Sequence, residues 1–149
     1  MIPPTAGGAV PTSFPDASGW LVSTIDDYWS FVSMLLAVGA GPGGPVLAPE
    51  TVALMTTDRL TPDQRQDSAV FLGEHGRWGL GLAVPAAGAG PQLLPCGIGW
   101  TGGSGTTWRS SARIGVTGIL FGQRGLTSPV PEPLAVDFWS GVNAASTAA

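Results

Sequence analysis

Ser104 stands in the stretch GIGWTGGSGTTW, residues 97 to 108, where five glycines surround two tryptophans. A serine among glycines raises the question of nucleophilic catalysis, in which an exposed hydroxyl attacks a carbonyl while nearby backbone N–H groups stabilise the oxyanion. The hydrolase elbow G-x-S-x-G is almost met by Gly102-Gly103-Ser104-Gly105, but Thr106 occupies the closing position. A serine also needs a base. The S-x-x-K arrangement, in which lysine takes the serine proton, is excluded because the chain has no lysine. Its six basic residues are Arg59, Arg65, Arg77, Arg109, Arg113 and Arg124. His75, the only histidine, lies in the polar run GEHGR and reads as a solvated loop residue; one His and one Cys cannot complete a metal site. Cys96, between Pro95 and Gly97, has no neighbouring base and reads as an inert thiol. Asp26, Asp27, Asp58, Asp63 and Asp67 fall where helix starts and exposed connections want charge. No catalytic residue is assigned, and no metal or cofactor is expected.

The glycine segment keeps a second possibility. A strand edge trimmed to hydrogen lets a substrate lie along the backbone, with N–H groups aimed at a developing oxyanion. The alternative is a strand crossing closely beside a helix, with Trp100 and Trp108 in the core. Residue types leave both open.

The elements that must position this segment follow from periodicity. In WLVSTIDDYWSFVSMLLAVG, Leu21, Ile25, Tyr28, Trp29, Val32, Leu35 and Leu36 share one helical face. Ser23 or Thr24 caps the start, Asp26 and Asp27 suit the positive end of the helix dipole, and Gly39 ends the helix. Residues 39–45 read as a loop, 49–57 as a short helix with Pro49 in its first turn, and 58–69 as an exposed polar connection. Alternation of Trp78, Leu80, Leu82 and Val84 predicts a strand, followed by proline- and glycine-rich sequence over 85–97. GTTWRSSA and IGVTGILFGQ predict two strands joined near Ala112 and Arg113. Leu134, Phe138 and Val142 predict a final amphipathic helix. The expected class is α/β (α+β), an antiparallel sheet flanked by helices. It comprises an irregular lead-in over 1–19, one domain portion over 20–142 and a frayed tail over 143–149.

Composition narrows the partners. The net charge is -4 without any basic run, which argues against nucleic acid. No window has the roughly 18 apolar residues of a membrane span. The first ten residues lack a signal-peptide pattern, and a single cysteine makes no internal disulfide, so the expectation is a soluble, cytoplasmic protein.

The order of segments resembles the C-terminal half of the beta-lactamase-like serine hydrolases, the superfamily of class C beta-lactamases, D-alanyl-D-alanine peptidases and related esterases. SGWLVSTIDDYWSFVSMLL, LAPETVALMTTDRL, WGLGLAV, and GWTGGSGTTW continuing through GVTGILFGQR to DFWSGV carry the resemblance, across most of 18–142. It implies a partial beta-lactamase-like domain in which Trp100-Thr101-Gly102 takes the position of the family's K-T-G motif on an edge strand, with tryptophan for lysine. It further implies that the Gly103 N–H supplies half an oxyanion hole, that Trp100 shapes the acyl pocket, and that the glycines make room for substrate. Trp100, Thr101, Gly102 and Gly103 are thus the expected substrate-binding residues. The S-x-x-K and Y-x-N motifs are missing, and Tyr28, the only tyrosine, reads as helix packing. The resemblance therefore implies a truncated hydrolase (a fragment, a shortened gene product or one part of a split protein), inactive alone and meeting a small ester or amide if complemented, with a separate chain supplying the N-terminal half as one route. A non-catalytic binding or assembly module that retains the groove is the alternative.

Overall fold

The computed structural model describes residues 21–73, 75–85, 97–128, 130 and 132–147. The expected lead-in over 1–19, Cys96, and most of the proline–glycine run over 85–97 lie outside the described residues.

Thr24 starts the first helix, α1 (Ile25–Leu36): its extended backbone turns the chain in, and its hydroxyl accepts from the Asp27 N–H at 3.1 Å. Only part of the apolar face of α1 is used. Val32 and Leu35 are buried and Tyr28 half-buried, whereas Leu21, Ile25, Trp29 and Leu36 remain exposed. The chain leaves α1 through Val38 and Gly39, both at positive φ, with the Gly39 N–H closing onto the Met34 carbonyl. What the sequence predicts as a plain loop over 39–45 contains a two-residue ladder, β1 (Ala40–Gly41) against β2 (Gly44–Pro45).

Helix α2 (Pro49–Thr56) begins with proline at its first position, as expected. The stretch 58–69 is not a bare connection. Thr61 accepts from the Gln64 N–H while the Gln64 side chain accepts from the Thr61 N–H, a reciprocal cap that nucleates α3 (Pro62–Asp67), followed by α4 (Ala69–Leu72). Asp58 is the hub beneath it, receiving Arg65 at 2.8 Å and Arg77 at 3.0 Å.

The run 78–84 does not form the predicted strand. It doubles back, the Gly79 N–H bonding the Leu82 carbonyl and Trp78 bridging to Ala83. The strand is instead the glycine segment, β3 (Ile98–Thr101). It pairs antiparallel with β4 (Thr107–Ser111), and β4 with β5 (Val116–Leu120), in the order β3-β4-β5. The turn over 112–115 falls where the sequence places it. The last helix, α5 (Pro133–Thr147), runs into the segment expected to fray, as far as Thr147.

The protein is thus an α+β fold, an antiparallel sheet between helices. Neighbouring residues of a strand face opposite ways. Trp108 points to α1, its ring edge-on to Tyr28 at 5.8 Å and Phe31 at 6.2 Å. Thr107 points to α5, where it receives the indole N–H of Trp139. Trp108, Val32, Leu35, Leu82 and Val84 form the core on the α1 side, and Trp139 is fully buried on the other.

Candidate functional site

The four expected site residues are consecutive and sit at the end of edge strand β3. Their roles diverge in the structure because the strand sends alternate side chains to opposite faces. Trp100 stands against Trp78, the rings 4.5 Å apart and nearly perpendicular. Alternation in the sequence marks Trp78 as apolar but gives no hint of this pairing, which depends on the 78–83 turn. Thr101 turns to the α5 face, its hydroxyl 2.8 Å from that of Thr107, which in turn lies 3.3 Å from the Trp139 indole nitrogen.

Backbone direction matters more than side chains here. The Gly99 N–H and carbonyl face away from β4, both bonding Ala83 at 3.0 and 2.8 Å. By the alternation of an antiparallel ladder, the Thr101 backbone also faces outward, one step past the cover that Ala83 provides. Gly102 bonds internally, its N–H to the Thr106 carbonyl. The Gly103 carbonyl accepts from Leu126, while its N–H meets no acceptor among the described residues.

The glycines divide into two kinds, which corrects the expectation that all of them make room for substrate. At Gly99 a Cβ would run into the Trp108 carbonyl, and at Gly105, with φ +82°, into that of Arg124. These glycines admit the protein's own backbone. Beside Gly103 there is open space, and at Gly102 the nearest atom to an added Cβ is the Thr106 hydroxyl at 3.5 Å. Only this pair leaves an approach for a ligand.

Ser104 is exposed, and among the described residues its hydroxyl reaches only that of Thr106, at 3.4 Å, so none of them activates it. Tyr28 is enclosed by Phe31, Trp108 and Phe121, with centroids 5.7 to 5.8 Å away, and burial raises its phenol pKa further from neutrality. No group of three His, Cys, Asp or Glu residues that could hold a metal exists among the described residues. No described helix is long and apolar enough to cross a membrane.

Arg109, in register between Gly99 and Gly118, is the unexpected charge near this site. Its guanidinium donates to the Trp108 carbonyl at 3.1 Å and meets no carboxylate among the described residues; burial lowers its pKa to about 10. A desolvated charge without a counter-ion costs stability, and a flexible apolar chain of similar length can keep the packing. Arg109→Met is expected to stabilise the isolated chain by about 1 kcal/mol, measured by urea unfolding.

No protein-family model matches the chain. It is similar to two proteins of Mycobacterium tuberculosis, Uncharacterized protein MT1414 of strain CDC 1551 / Oshkosh and Protein Rv1367c of strain ATCC 25618 / H37Rv. Each is 47% identical over 109 residues, covering 67% of this chain and 27% of the relative. The chain spans about a quarter of the length of these curated relatives.

Proposed function

We propose that this chain is the C-terminal portion of a beta-lactamase-like serine hydrolase, a family whose intact members cleave esters or amides, and that it is inactive alone. The observation that carries the reading is the end of β3: an outward-facing backbone at Thr101, followed by Gly103, whose N–H meets no acceptor among the described residues and beside which there is open space. An acyl group laid along that edge would place its carbonyl oxygen toward the Gly103 N–H, the geometry that stabilises a tetrahedral oxyanion. Trp100, held by Trp78, would wall the acyl side. The serine nucleophile, its lysine and the second-motif tyrosine would come from the N-terminal half of such a domain. The location proposed is cytoplasmic, in line with a single cysteine and no internal disulfide.

A second reading, a non-catalytic binding module, is favoured by the Trp78–Trp100 pair, which offers an aromatic wall with no base in contact with Ser104. The readings share one expectation for the isolated chain. Treatment with a fluorophosphonate or a fluorescent penicillin gives no adduct by intact mass, and p-nitrophenyl butyrate turnover stays at background. A stoichiometric adduct on Ser104 would sink the claim of inactivity. Turnover that appears on adding the complementing polypeptide, and is lost in Gly103→Pro, which removes the N–H, separates the hydrolase from the binding module.

A further inference from the structure

The edge of β3 carries few unpaired main-chain groups, and their number sets what can lie along it. Gly99 faces outward, but its N–H and carbonyl are both taken by Ala83, at 3.0 and 2.8 Å. Trp100 faces inward and pairs with Trp108. Thr101 faces outward again, and no described residue bonds its N–H or carbonyl. Beyond it the chain closes on itself. The Gly102 N–H donates to the Thr106 carbonyl, the Gly102 carbonyl accepts from Gly105, and the Gly103 carbonyl accepts from Leu126. Among the described residues, the edge is left with the N–H and carbonyl of Thr101 and the N–H of Gly103.

Ala83 occupies the place that a ligand strand would take. It bridges antiparallel to Trp78 and to Gly99, so the 78–83 turn is itself a one-residue neighbour of β3. It is also fastened there. Leu82 and Val84, on either side of Ala83, are buried in the core. The Trp78 N–H donates to Asp58, the Trp78 carbonyl accepts from the Arg59 N–H, and the Val84 N–H donates to the Arg77 carbonyl. Moving Ala83 aside would draw two core side chains toward water. An extended peptide bonds every second residue of an edge, and the next such residue from Thr101 toward the start of β3 is Gly99, about 7 Å away. With Gly99 taken, a peptide has no second outward residue of β3 to bond.

We infer that this edge is limited in length: it takes an ester or amide whose acyl group is no longer than about one residue, and it turns away an extended peptide, with Ala83 as the stop. The carbonyl oxygen of the ligand accepts from the Gly103 N–H, beside which there is open space. Its acyl group passes Thr101 and ends against the Trp78–Trp100 pair. The limit rests on the reading of β3 as the substrate edge and adds to that reading the size of the acyl group. Trp78 and Ala83 are then specificity-determining residues, carried by a turn that the core and Asp58 hold in place.

The test compares two anilides that present the same amide and differ only in acyl length, butyranilide and acetyl-trialanyl anilide, titrated into the full chain and followed by backbone amide NMR shifts. In the free chain the Gly99 amide is expected to exchange with solvent at least about a hundredfold more slowly than those of Thr101 and Gly103. Butyranilide shifts the Thr101 and Gly103 amides, leaves Gly99 protected, and binds at least about tenfold more tightly than the trialanyl anilide. Ala83→Pro removes the N–H given to Gly99 and sets a ring carbon in its place, which brings the two affinities together. If circular dichroism shows that this variant is unfolded, the wild-type exchange pattern and the acyl-length comparison decide by themselves. Gly99 exchange as fast as that of Thr101, equal binding of the two anilides, or an unchanged ratio in folded Ala83→Pro overturns the length limit and leaves the hydrolase reading standing. Absence of shifts at Thr101 and Gly103 with either anilide overturns both. Butyranilide binding at those amides without p-nitrophenyl butyrate turnover in the complemented protein keeps the limit and removes the hydrolase reading.

Discussion

Trp139→Ala is expected to lower the unfolding free energy by about 4 kcal/mol. The indole is fully buried, and its six-membered ring lies where a side chain of β5 would otherwise project. A Cβ added at Gly118 would stand 2.6 Å from Cζ3 and 2.9 Å from Cη2. The sheet has given up a side chain so that α5 can approach, and truncating the indole leaves a void that neither element can fill. The same truncation takes the indole donor from the Thr107 hydroxyl, in a residue 2% exposed, and leaves it bonded to Thr101 alone among the described residues. Trp139→Phe isolates that part, with an expected loss of about 1 to 2 kcal/mol from the hydrogen bond and smaller ring. Urea unfolding followed by far-UV circular dichroism measures both. A loss below about 1 kcal/mol for the alanine variant would mean that α5 is not docked on the sheet.

Asp58→Ala is expected to cost about 2 to 3 kcal/mol and to flatten the acid side of the stability profile. Burial acts to raise the Asp58 pKa, but Arg65, the Trp78 N–H, Arg77 and the Leu60 N–H together outweigh it and hold the carboxyl well below the usual carboxylate range. A carboxylate with a depressed folded pKa contributes stability above its unfolded pKa of about 3.9, and that contribution is lost as pH falls below it toward the folded value. The wild-type urea midpoint should therefore be level above about pH 5 and drop steeply below about pH 4. Asp58→Ala starts lower and drops less, because the group that must be protonated is gone. Parallel acid limbs in the two proteins would show that other carboxylates govern acid unfolding. Asp58 ties three segments that are distant in sequence, since Arg65 also donates to the Gly76 carbonyl at 2.8 Å, so its loss loosens α3 and the entry to the Trp78 turn together.

Much of the architecture is legible in the sequence wherever local chemistry and burial agree. Thr24 caps α1 and Pro49 opens α2 because those residues solve the problem of unpaired N–H groups by themselves. The signal for α3 is also local, Thr61 followed three residues on by Gln64, but polarity around it masks a capping box with nothing buried behind it. The run from Trp78 to Val84 misleads for a different reason. Its alternation is genuine, with Leu82 and Val84 buried, yet Gly79 sits against the Met55 carbonyl and Gly81 adopts φ +85°, so the chain turns before a ladder can grow. The strand moves to Ile98–Thr101, whose glycines lower its apparent propensity but let Gly99 approach β4 closely. At the site, residue types alone mark Gly102 and Gly103 only as part of a cluster with Gly97, Gly99 and Gly105, and it is the resemblance that picks them out as expected substrate-binding residues. Their physical separation from the others depends on which carbonyl faces each glycine, a tertiary fact. Trp78 is missed for the same reason.

The row Trp139–Thr107–Thr101 has a direction. An indole nitrogen only donates, so Thr107 receives a proton from Trp139. Thr107 is buried, and among the described residues its own proton has one neighbouring acceptor, the Thr101 oxygen at 2.8 Å. Satisfying it makes Thr107 the donor and Thr101 the acceptor, since the reverse would strand a hydroxyl proton in the interior. Thr101 then has its own proton to give, and polarisation along the row makes it a stronger donor than an isolated threonine. The last helix thereby orients the hydroxyl at the end of β3: with one lone pair committed to Thr107, its proton and one further lone pair are left for a neighbour.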